Sequence, residues 1–565
     1  MQELTAPIND TTLFYRAWPN AGAKKCVILV HRGHEHSGRL VDVVENLGID
    51  DASFFAWDAR GHGKSPGDRG YAPSFSQIIK DLDAFVQHVA KTHGVAIEDM
   101  VVVGHSVGAV TVAAWVHDFA PPIRAMVLVT PALKVKLYVP FARTGLKLLQ
   151  AMRGDRKSYV QSYVKPTMLT HDAEQAKKYA DDPLITRAIA VNVLLDLYEI
   201  SARIVADAGA IRVPALVLSG GSDWVVDVKE QRRFFDNLGS QKKKMRVFDG
   251  MYHDLLHEAG RAEVLAEIRN FIDEAHEARE PLLHAHREGY TKREYDALAQ
   301  PANPIKSASF AAQRLTLSTL GKLSRGIRLG WETGFDSGRS LDYVYENQAR
   351  GGLGVGKLID RSYLQSPGWK GIRQRKLNLE KFLRRAIAEI KGDPRILDVA
   401  TGCGRYVLDV LKEEPCVTAL LRDFTPANVE QGRDIARMMG LAARAQFEQG
   451  DAFDEESLAK ISPAPSIAIV SGLYELFGDN DMVLRSLRGI RRAMTNGGRL
   501  IYTGQPWHPQ LEMIARVLTN RDGKPWIMRR RTQEEMDDLV RAAGFRKTDM
   551  EIDRWGIFTV SLAEI

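Results

Sequence analysis

VVVGHSVGAVT, residues 101–111, runs from three valines through a glycine to Ser106 and on into small and apolar side chains. Valine favours a buried strand and the small residues suit a helix packed against it, so the stretch predicts strand, sharp turn and helix. Gly104 and Gly108 flank Ser106 in the Gly-x-Ser-x-Gly order. Glycines at these places permit a strained strand-to-helix turn that lifts a serine hydroxyl at the carboxyl end of a sheet, beside backbone amides. Ser106 is therefore a candidate nucleophile.

Working outward, apolar runs at 26–30, 53–58, 100–104 and 125–129 (CVILV, SFFAWD, MVVVG, AMVLV) alternate with helical stretches such as 75–94. This is the rhythm of a parallel sheet covered on both faces. Residues 132–210 break it with helical, partly basic sequence, after which PALVLSGGSD and KMRVFDG resume strands and 261–276 reads as a closing helix. We expect an α/β domain over 1–280 with a helical cap at about 132–210. The polar, proline-punctuated stretch 281–305 reads as a linker, and 306–392 as a basic helical pre-domain. A second alternation starts at Arg395 with RILDVATG, CVTALLRD, SIAIVSG and RLIYTG, closing with KTDMEIDR and GIFTVSLAEI. Its domain is placed at 393–565. No internal repeat joins the halves, which points to fusion of unlike domains.

Composition bounds the possibilities. With 565 residues, 45% hydrophobic and 26% charged, the chain has room for two ordinary globular cores. Three cysteines without metal-ligand spacing suggest neither a disulfide framework nor a zinc site, and fit a reducing compartment. The N-terminus lacks the apolar core of a signal peptide, and no window is apolar enough to span a membrane. A cytoplasmic protein is expected. A net charge of +6 is too dilute on this length to imply nucleic acid.

A nucleophilic serine needs a base and a carboxylate to orient it, in chain order Ser, Asp or Glu, His. Asp223 follows the strand ending near Gly221, and His253 follows the next predicted strand, so both sit in loops at strand carboxyl ends. Asp227 and His257 are alternatives farther from those ends, and His253-x-x-x-His257 could also be read as a metal pair. No glutamate in the zincin position supports the metal reading. An oxyanion hole would draw one amide from Val107 and one from the loop HRGHEHSGR at 31–39, where Gly33 is the candidate.

The segments HRGHEHSGR, AWDARGHGKSPGDRGY, GHSVGA, GGSDWVVD and YHDLLHE, in this order, resemble the monoacylglycerol lipase and lysophospholipase branch of the α/β-hydrolases over residues 10–275. The resemblance implies Ser106 as nucleophile, Asp223 as acid, His253 as base and an oxyanion loop at Arg32 and Gly33. Arg32 departs from the family's usual glycine. An amphiphilic lipid ester is the implied substrate. Within the cap, Ala142, Leu146 and Leu149 form an apolar stripe with Leu148 and Met152 alongside, while Arg143 and Lys147 lie on another face. Such a helix suits either a lid resting on an anionic membrane or a cap packed on its own domain.

In the second half, RILDVATGCGRYVLDVL is strand, glycine turn and helix, the turn carrying Gly402 and Gly404. Asp398 ends the strand, where it could meet a methionine ammonium group. Asp423 ends the next strand, in the place that binds ribose hydroxyls, and Asp451 follows the third, suited to an adenine amino group. This order resembles the class I S-adenosylmethionine-dependent methyltransferases over about 390–565. The family implies donor contacts from Asp398, Gly402, Gly404, Asp423 and Asp451, with S-adenosyl-L-methionine as cofactor and a final antiparallel strand pair. SGLYELF at 471–477 lacks the Asn/Asp-Pro-Pro-aromatic pattern of base-methylating enzymes, which argues against a nucleic-acid acceptor. Acceptor-side candidates are Tyr474, Glu475, Gln505, Trp507 and His508. GGLGVGK at 351–357 imitates a phosphate loop but has Leu358 where Ser or Thr should stand. The basic run WKGIRQRKLNLEKFLRR suits a solvated helix face or an anionic lipid contact.

Together the signatures resemble a bacterial α/β-hydrolase fused to a class I methyltransferase. The expected activity is a lipid ester hydrolase of monoacylglycerol or lysophospholipid type joined to a methyltransferase. Two alternatives remain: a methylation and methyl-ester hydrolysis pair acting on small acids, or one working site with the other a binding module.

Overall fold

The structure, a computed structural model, describes residues 1–138, 141–154, 157–277, 289–352 and 354–565. The chain divides into two compact units, Met1–Leu282 and Leu283–Ile565.

The first unit contains strands β1 (Gln2–Ile8), β2 (Thr11–Trp18), β3 (Lys25–Val30), β4 (Ala52–Trp57), β5 (Met100–His105), β6 (Ala125–Val129), β7 (Tyr159–Gln161), β8 (Ala188–Ala190), β9 (Ala215–Gly220) and β10 (Lys243–Phe248). Eight of them form one sheet in the order β1-β2-β4-β3-β5-β6-β9-β10. From β4 to β10 neighbouring strands are parallel. The central strands are buried along their whole length, which is why they read as unbroken apolar runs rather than as alternation. Parallel strands share one carboxyl edge, so the loops after β3, β5, β9 and β10 converge there. The alternation read from Cys26 omits the antiparallel hairpin β1–β2. Its turn residue Asn9 has a φ of 51°, a conformation that asparagine tolerates, and Asn9-Asp10 was the available hairpin signal.

Between β6 and β9 lies the cap. It carries helices Ala142–Arg153, Ala173–Asp181 and Val191–Ala206, and the small antiparallel hairpin β7–β8 that the helical reading missed. No residue of helix Ala142–Arg153 is fully buried. Ala142, Leu146 and Leu149 are half-buried, and Arg143 stacks 5.6 Å from the Tyr198 ring while Lys147 pairs with Glu199. Phe141, Leu148 and Met152 stand out in solvent, at 86%, 59% and 70% exposure.

The second unit is built on β11 (Arg395–Asp398), β12 (Thr418–Asp423), β13 (Ala445–Gln449), β14 (Ile467–Val470), β15 (Arg499–Gly504), β16 (Arg546–Ile552) and β17 (Thr559–Glu564). Their order is β13-β12-β11-β14-β15-β17-β16, with β17 antiparallel to both neighbours. This is the class I methyltransferase fold with its closing antiparallel pair. The chain reverses direction across the sheet between β11 and β14, the switch point where such sheets open a crevice.

Among the described residues six α-helices precede this sheet, from Tyr290–Ala299 to Pro367–Glu389. They bury Leu298, Ile327, Phe335, Tyr343 and Trp369 in one cluster with residues 511–528 and Phe558. Residues 281–288 of the expected linker lie outside the described residues. The rest of it is not a free tether: Tyr290–Ala299 is a helix of the second unit, with Thr291 Oγ1 donating to Glu535 at 2.6 Å and Glu294 paired with Arg530. Polar composition misled because some of those side chains are spent on contacts within the second unit. In the GGLGVGK stretch Gly351 has a steric reason, since a Cβ there would lie 2.0 Å from the Gly356 oxygen. No described helix is long and apolar enough to cross a membrane.

Candidate functional site

In the first unit, the turn after β5 holds Ser106 at φ 56°, ψ −111°, outside the regions a non-glycine residue normally adopts. The neighbouring glycines make this possible. A Cβ on Gly104 would come 2.7 Å from Ala109 Cα, and one on Gly108 would come 2.4 Å from the His31 oxygen. Ser106 Oγ lies 2.8 Å from His253 Nε2, and His253 Nδ1 lies 2.7 Å from Asp223 Oδ2. Asp223 Oδ1 accepts from the amides of Val225 and Val226 at 2.7 and 2.9 Å. All three residues are buried. Burial works against the Asp223 charge, but His253 and the two amides outweigh it and hold the carboxyl below its usual range. The order carboxylate, imidazole, hydroxyl is that of a serine hydrolase.

Gly33 and Val107 meet beside this serine: a Cβ on Gly33 would lie 3.0 Å from Val107 Cγ2. Neither amide has an acceptor among the described residues, leaving two donors free for a developing oxyanion. The arginine that departs from the family pattern turns away from the hole. Arg32 is buried, its Nε 3.0 Å from Glu35 and 3.8 Å from Asp254, with its guanidinium 4.7 Å over Tyr179. The same buried group takes in Arg39 and His257. His257 bonds Asp254 Oδ1 through Nδ1 and the Arg39 carbonyl through Nε2, at 2.9 Å each. Asp227 caps the helix Val228–Asn237 through the Lys229 amide. The two alternatives are thus structural, and His253 and His257 serve different partners.

The second unit holds a cavity of about 1020 Å³ at the β11/β14 switch point. Gly402 and Gly404, with φ of 57° and 71°, form the turn under it. Asp423 and Asp451 line it at the ends of β12 and β13. Asp423 Oδ2 accepts from the Gly402 amide at 2.8 Å, locking turn and acid together. Phe424, at 71% exposure, offers a ring face beside them that sequence reading overlooked. Its signal was available: an aromatic directly after the strand-end acid. Open glycines, two acids and an exposed ring suit a nucleoside-bearing methyl donor.

Asp398 differs from expectation. It is wholly buried and absent from the cavity wall, accepting instead from the Tyr406 hydroxyl. Burial pushes its pKa up to about 7, against the pull of that hydroxyl. It lies beneath the turn, outside the cavity wall.

Of the acceptor-side residues, Glu475, Gln505 and His508 line the cavity. Tyr474 and Trp507 do not. Tyr474 is core, its hydroxyl donating to Ser486 at 2.9 Å, and Trp507 packs against the helical cluster with Arg530 5.9 Å from its ring. Two neighbours were missed because they come from distant segments: Arg375 from helix Pro367–Glu389, and Trp526. Arg375 Nη1 donates to Glu475 Oε1 at 3.3 Å. His508 Nδ1 accepts from the Gln510 amide at 3.1 Å, and burial lowers its pKa to about 4.

Comparison with known proteins agrees with both halves. Residues 21–260 match the family described as "Serine aminopeptidase, S33". A monoacylglycerol lipase from Mycolicibacterium smegmatis is 25% identical over 274 residues, 47% of this chain and 95% of that protein. A solved monoacylglycerol lipase from Paleococcus ferrophilus has a TM-score of 0.43 at 26% identity, covering 46% of this chain and 99% of its own. The "Uncharacterized protein YnbC" of Escherichia coli (strain K12) is 49% identical over 568 residues, 98% of this chain and 97% of that protein. Residues 268–565 match the family described as "Putative methyltransferase". With a hydrolase unit related to monoglyceride lipases ahead of that match, the chain belongs to this methyltransferase family.

Proposed function

We propose that the chain is a bifunctional lipid enzyme: its first unit hydrolyses monoacylglycerol or lysophospholipid esters, and its second transfers a methyl group from S-adenosyl-L-methionine. The observation that carries the first half is the Ser106–His253–Asp223 chain of hydrogen bonds at a strained turn. His253 Nε2 takes the Ser106 proton as Oγ attacks the ester carbonyl, and the Gly33 and Val107 amides receive the oxyanion. His253 then protonates the leaving alcohol, and as a base it activates the water that frees the acid. Asp223 keeps the imidazole in the tautomer that can do both.

The second half rests on the cavity at the switch point. Asp423 and Asp451 would hold the ribose and adenine ends of the donor, with Gly402 and Gly404 allowing close approach. The bound donor supplies an electrophilic methyl on a sulfonium. The chain's part is to align an acceptor in line with it and to exclude water.

A peripheral contact with an anionic membrane inside the cell is part of the reading. It is supported by the exposed Phe141, Leu148 and Met152 with the exposed Arg153 at the end of the same helix, and the placing inside the cell by three unpaired cysteines. The test is mass spectrometry of a bacterial lipid extract incubated with the enzyme, with and without S-adenosylmethionine. Fatty acid release that needs Ser106, together with donor-dependent species heavier by one methylene, supports both halves. Neither change would move the search to small water-soluble esters.

A further inference from the structure

On the β14–β15 side of the cavity, unmatched hydrogen-bond donors outnumber acceptors. Gln505 follows β15 and is 2% exposed, yet neither its amide nitrogen nor its oxygen has a partner. Trp526 Nε1 and Arg375 Nε are likewise buried without an acceptor. All three residues line the same cavity. Arg375 lies against the β14–β15 edge that Gln505 follows: the Gly472 amide after β14 donates to Thr503 of β15 at 2.9 Å, and a Cβ on Gly472 would lie 3.1 Å from Arg375 Nη2. Trp526 stacks on Trp369 of the helix that carries Arg375, ring centres 6.2 Å apart. Unmatched buried donors cost stability, and a ligand that satisfies them recovers it. Three donor nitrogens carrying four N–H bonds, against one amide oxygen, ask for a ligand rich in acceptors.

The groups that could take a proton at this end are already engaged. His508 Nδ1 accepts a backbone N–H, which leaves the ring proton on Nε2 and makes the imidazole a donor. Glu475 is ion-paired with Arg375, Asp398 is sealed under the turn by Tyr406, and Tyr474 is core. A hydroxyl or ammonium acceptor must lose a proton during methylation; a carboxylate need not. Apolar side chains also line the cavity, among them Leu317, Ile327, Phe335, Ile359, Tyr363 and Trp369.

We propose that the methyl acceptor is the carboxylate of an apolar-chained acid, held by Gln505, Trp526 and Arg375, the class of product that ester hydrolysis in the first unit releases. The inference rests on the methyl-transfer reading above. In the step, a carboxylate oxygen lone pair forms the new O–CH3 bond as the S–CH3 bond breaks and its electron pair stays on sulfur. One negative and one positive charge are lost, giving a methyl ester and a thioether, and no proton moves.

The test uses the full chain as Ser106→Ala, so that the first unit cannot cleave the product, and that chain carrying in addition Gln505→Glu or Trp526→Phe. Donor binding is measured by calorimetry. Methyl laurate and methyl palmitate formed from the acids and labelled donor are measured by gas chromatography with mass spectrometry. Laurate binding to the donor-free chain is titrated as well. We expect methyl ester at a rate flat from pH 6 to 9. Each second substitution should lower kcat/KM for the acid, and laurate affinity, by about tenfold to hundredfold with donor binding unchanged. Donor binding with no methyl ester from either acid, or with variants indistinguishable from the parent, overturns the inference and leaves the methyl-transfer reading standing. Absence of donor binding overturns both.

Discussion

Asp223 and Asp398 are two buried aspartates with opposite fates. Asp223 has a histidine and two amides to stabilise its charge; Asp398 has the Tyr406 hydroxyl and a long bond from the Ala400 amide, which do not offset its burial. Replacing Asp223 with Asn puts an amide where His253 needs an acceptor, which favours the wrong tautomer. We expect Asp223→Asn to fold normally and to lose about 10⁴-fold in kcat for ester hydrolysis, checked with a chromogenic ester and near-UV circular dichroism. Asp398 makes a pH prediction. Its folded pKa of about 7 exceeds the ordinary value of 3.8, so the native state keeps a proton that the unfolded chain has lost between those values. Stability from this residue therefore falls as pH rises through that window, and the full cost, on the order of 4 kcal/mol, is present above it. Asp398→Asn can still accept from Tyr406 without carrying charge. The variant should melt higher than the parent at pH 8 and nearly level with it at pH 4; an equal gain at both would refute the assignment.

Among the elements, the serine turn leaves least freedom to substitution. Its backbone is strained at Ser106, and the strain is held by close packing of Gly104 and Gly108 on neighbouring backbone. Gly108→Ala drives a methyl group into the His31 carbonyl and so displaces either the turn or the oxyanion loop. Its expected result is at least a hundredfold loss of hydrolysis with a lowered melting temperature for the first unit, read by activity and calorimetry. Helix Ala142–Arg153 behaves differently, because its two apolar sets face different ways. Ala142, Leu146 and Leu149 rest on the domain, whereas Leu148 and Met152 lie in water with no covering element among the described residues. Burying two such side chains in a bilayer interface is worth about 1.5–3 kcal/mol each. Leu148→Asp with Met152→Asp should cut co-sedimentation with phosphatidylglycerol vesicles by tenfold or more while leaving hydrolysis of a short soluble ester unchanged. Unaltered sedimentation would assign the helix to packing alone.

For the whole molecule, two sheets with separate cores carry two sites that share no residue. Ser106→Ala should abolish fluorophosphonate labelling and ester hydrolysis and leave donor binding intact. Asp423→Asn should weaken donor binding at least tenfold and leave labelling intact. Loss of both activities from either change would mean that the sites are coupled. Much of this plan was legible in the chain itself. Unbroken apolar runs marked the buried parallel strands, and glycines around Ser106 and after Asp398 marked the two turns, because backbone geometry at those places admits few residue types. Ser106, Asp223 and His253 followed from their positions at strand ends, which chain order alone assigns. What lies between strand ends depended on packing. Only the tertiary structure sealed Asp398 and Tyr474 away from the cavity and drew Tyr290–Ala299 into the second unit. It alone brought Arg375 and Trp526 to the cavity that Gln505 lines, since these groups lie 130 and 21 positions away in sequence and share a wall only when helix and strand close around one space. A local pattern records what the backbone tolerates at a residue; which side chains share a cavity is decided by contacts between distant segments, and no local pattern encodes them.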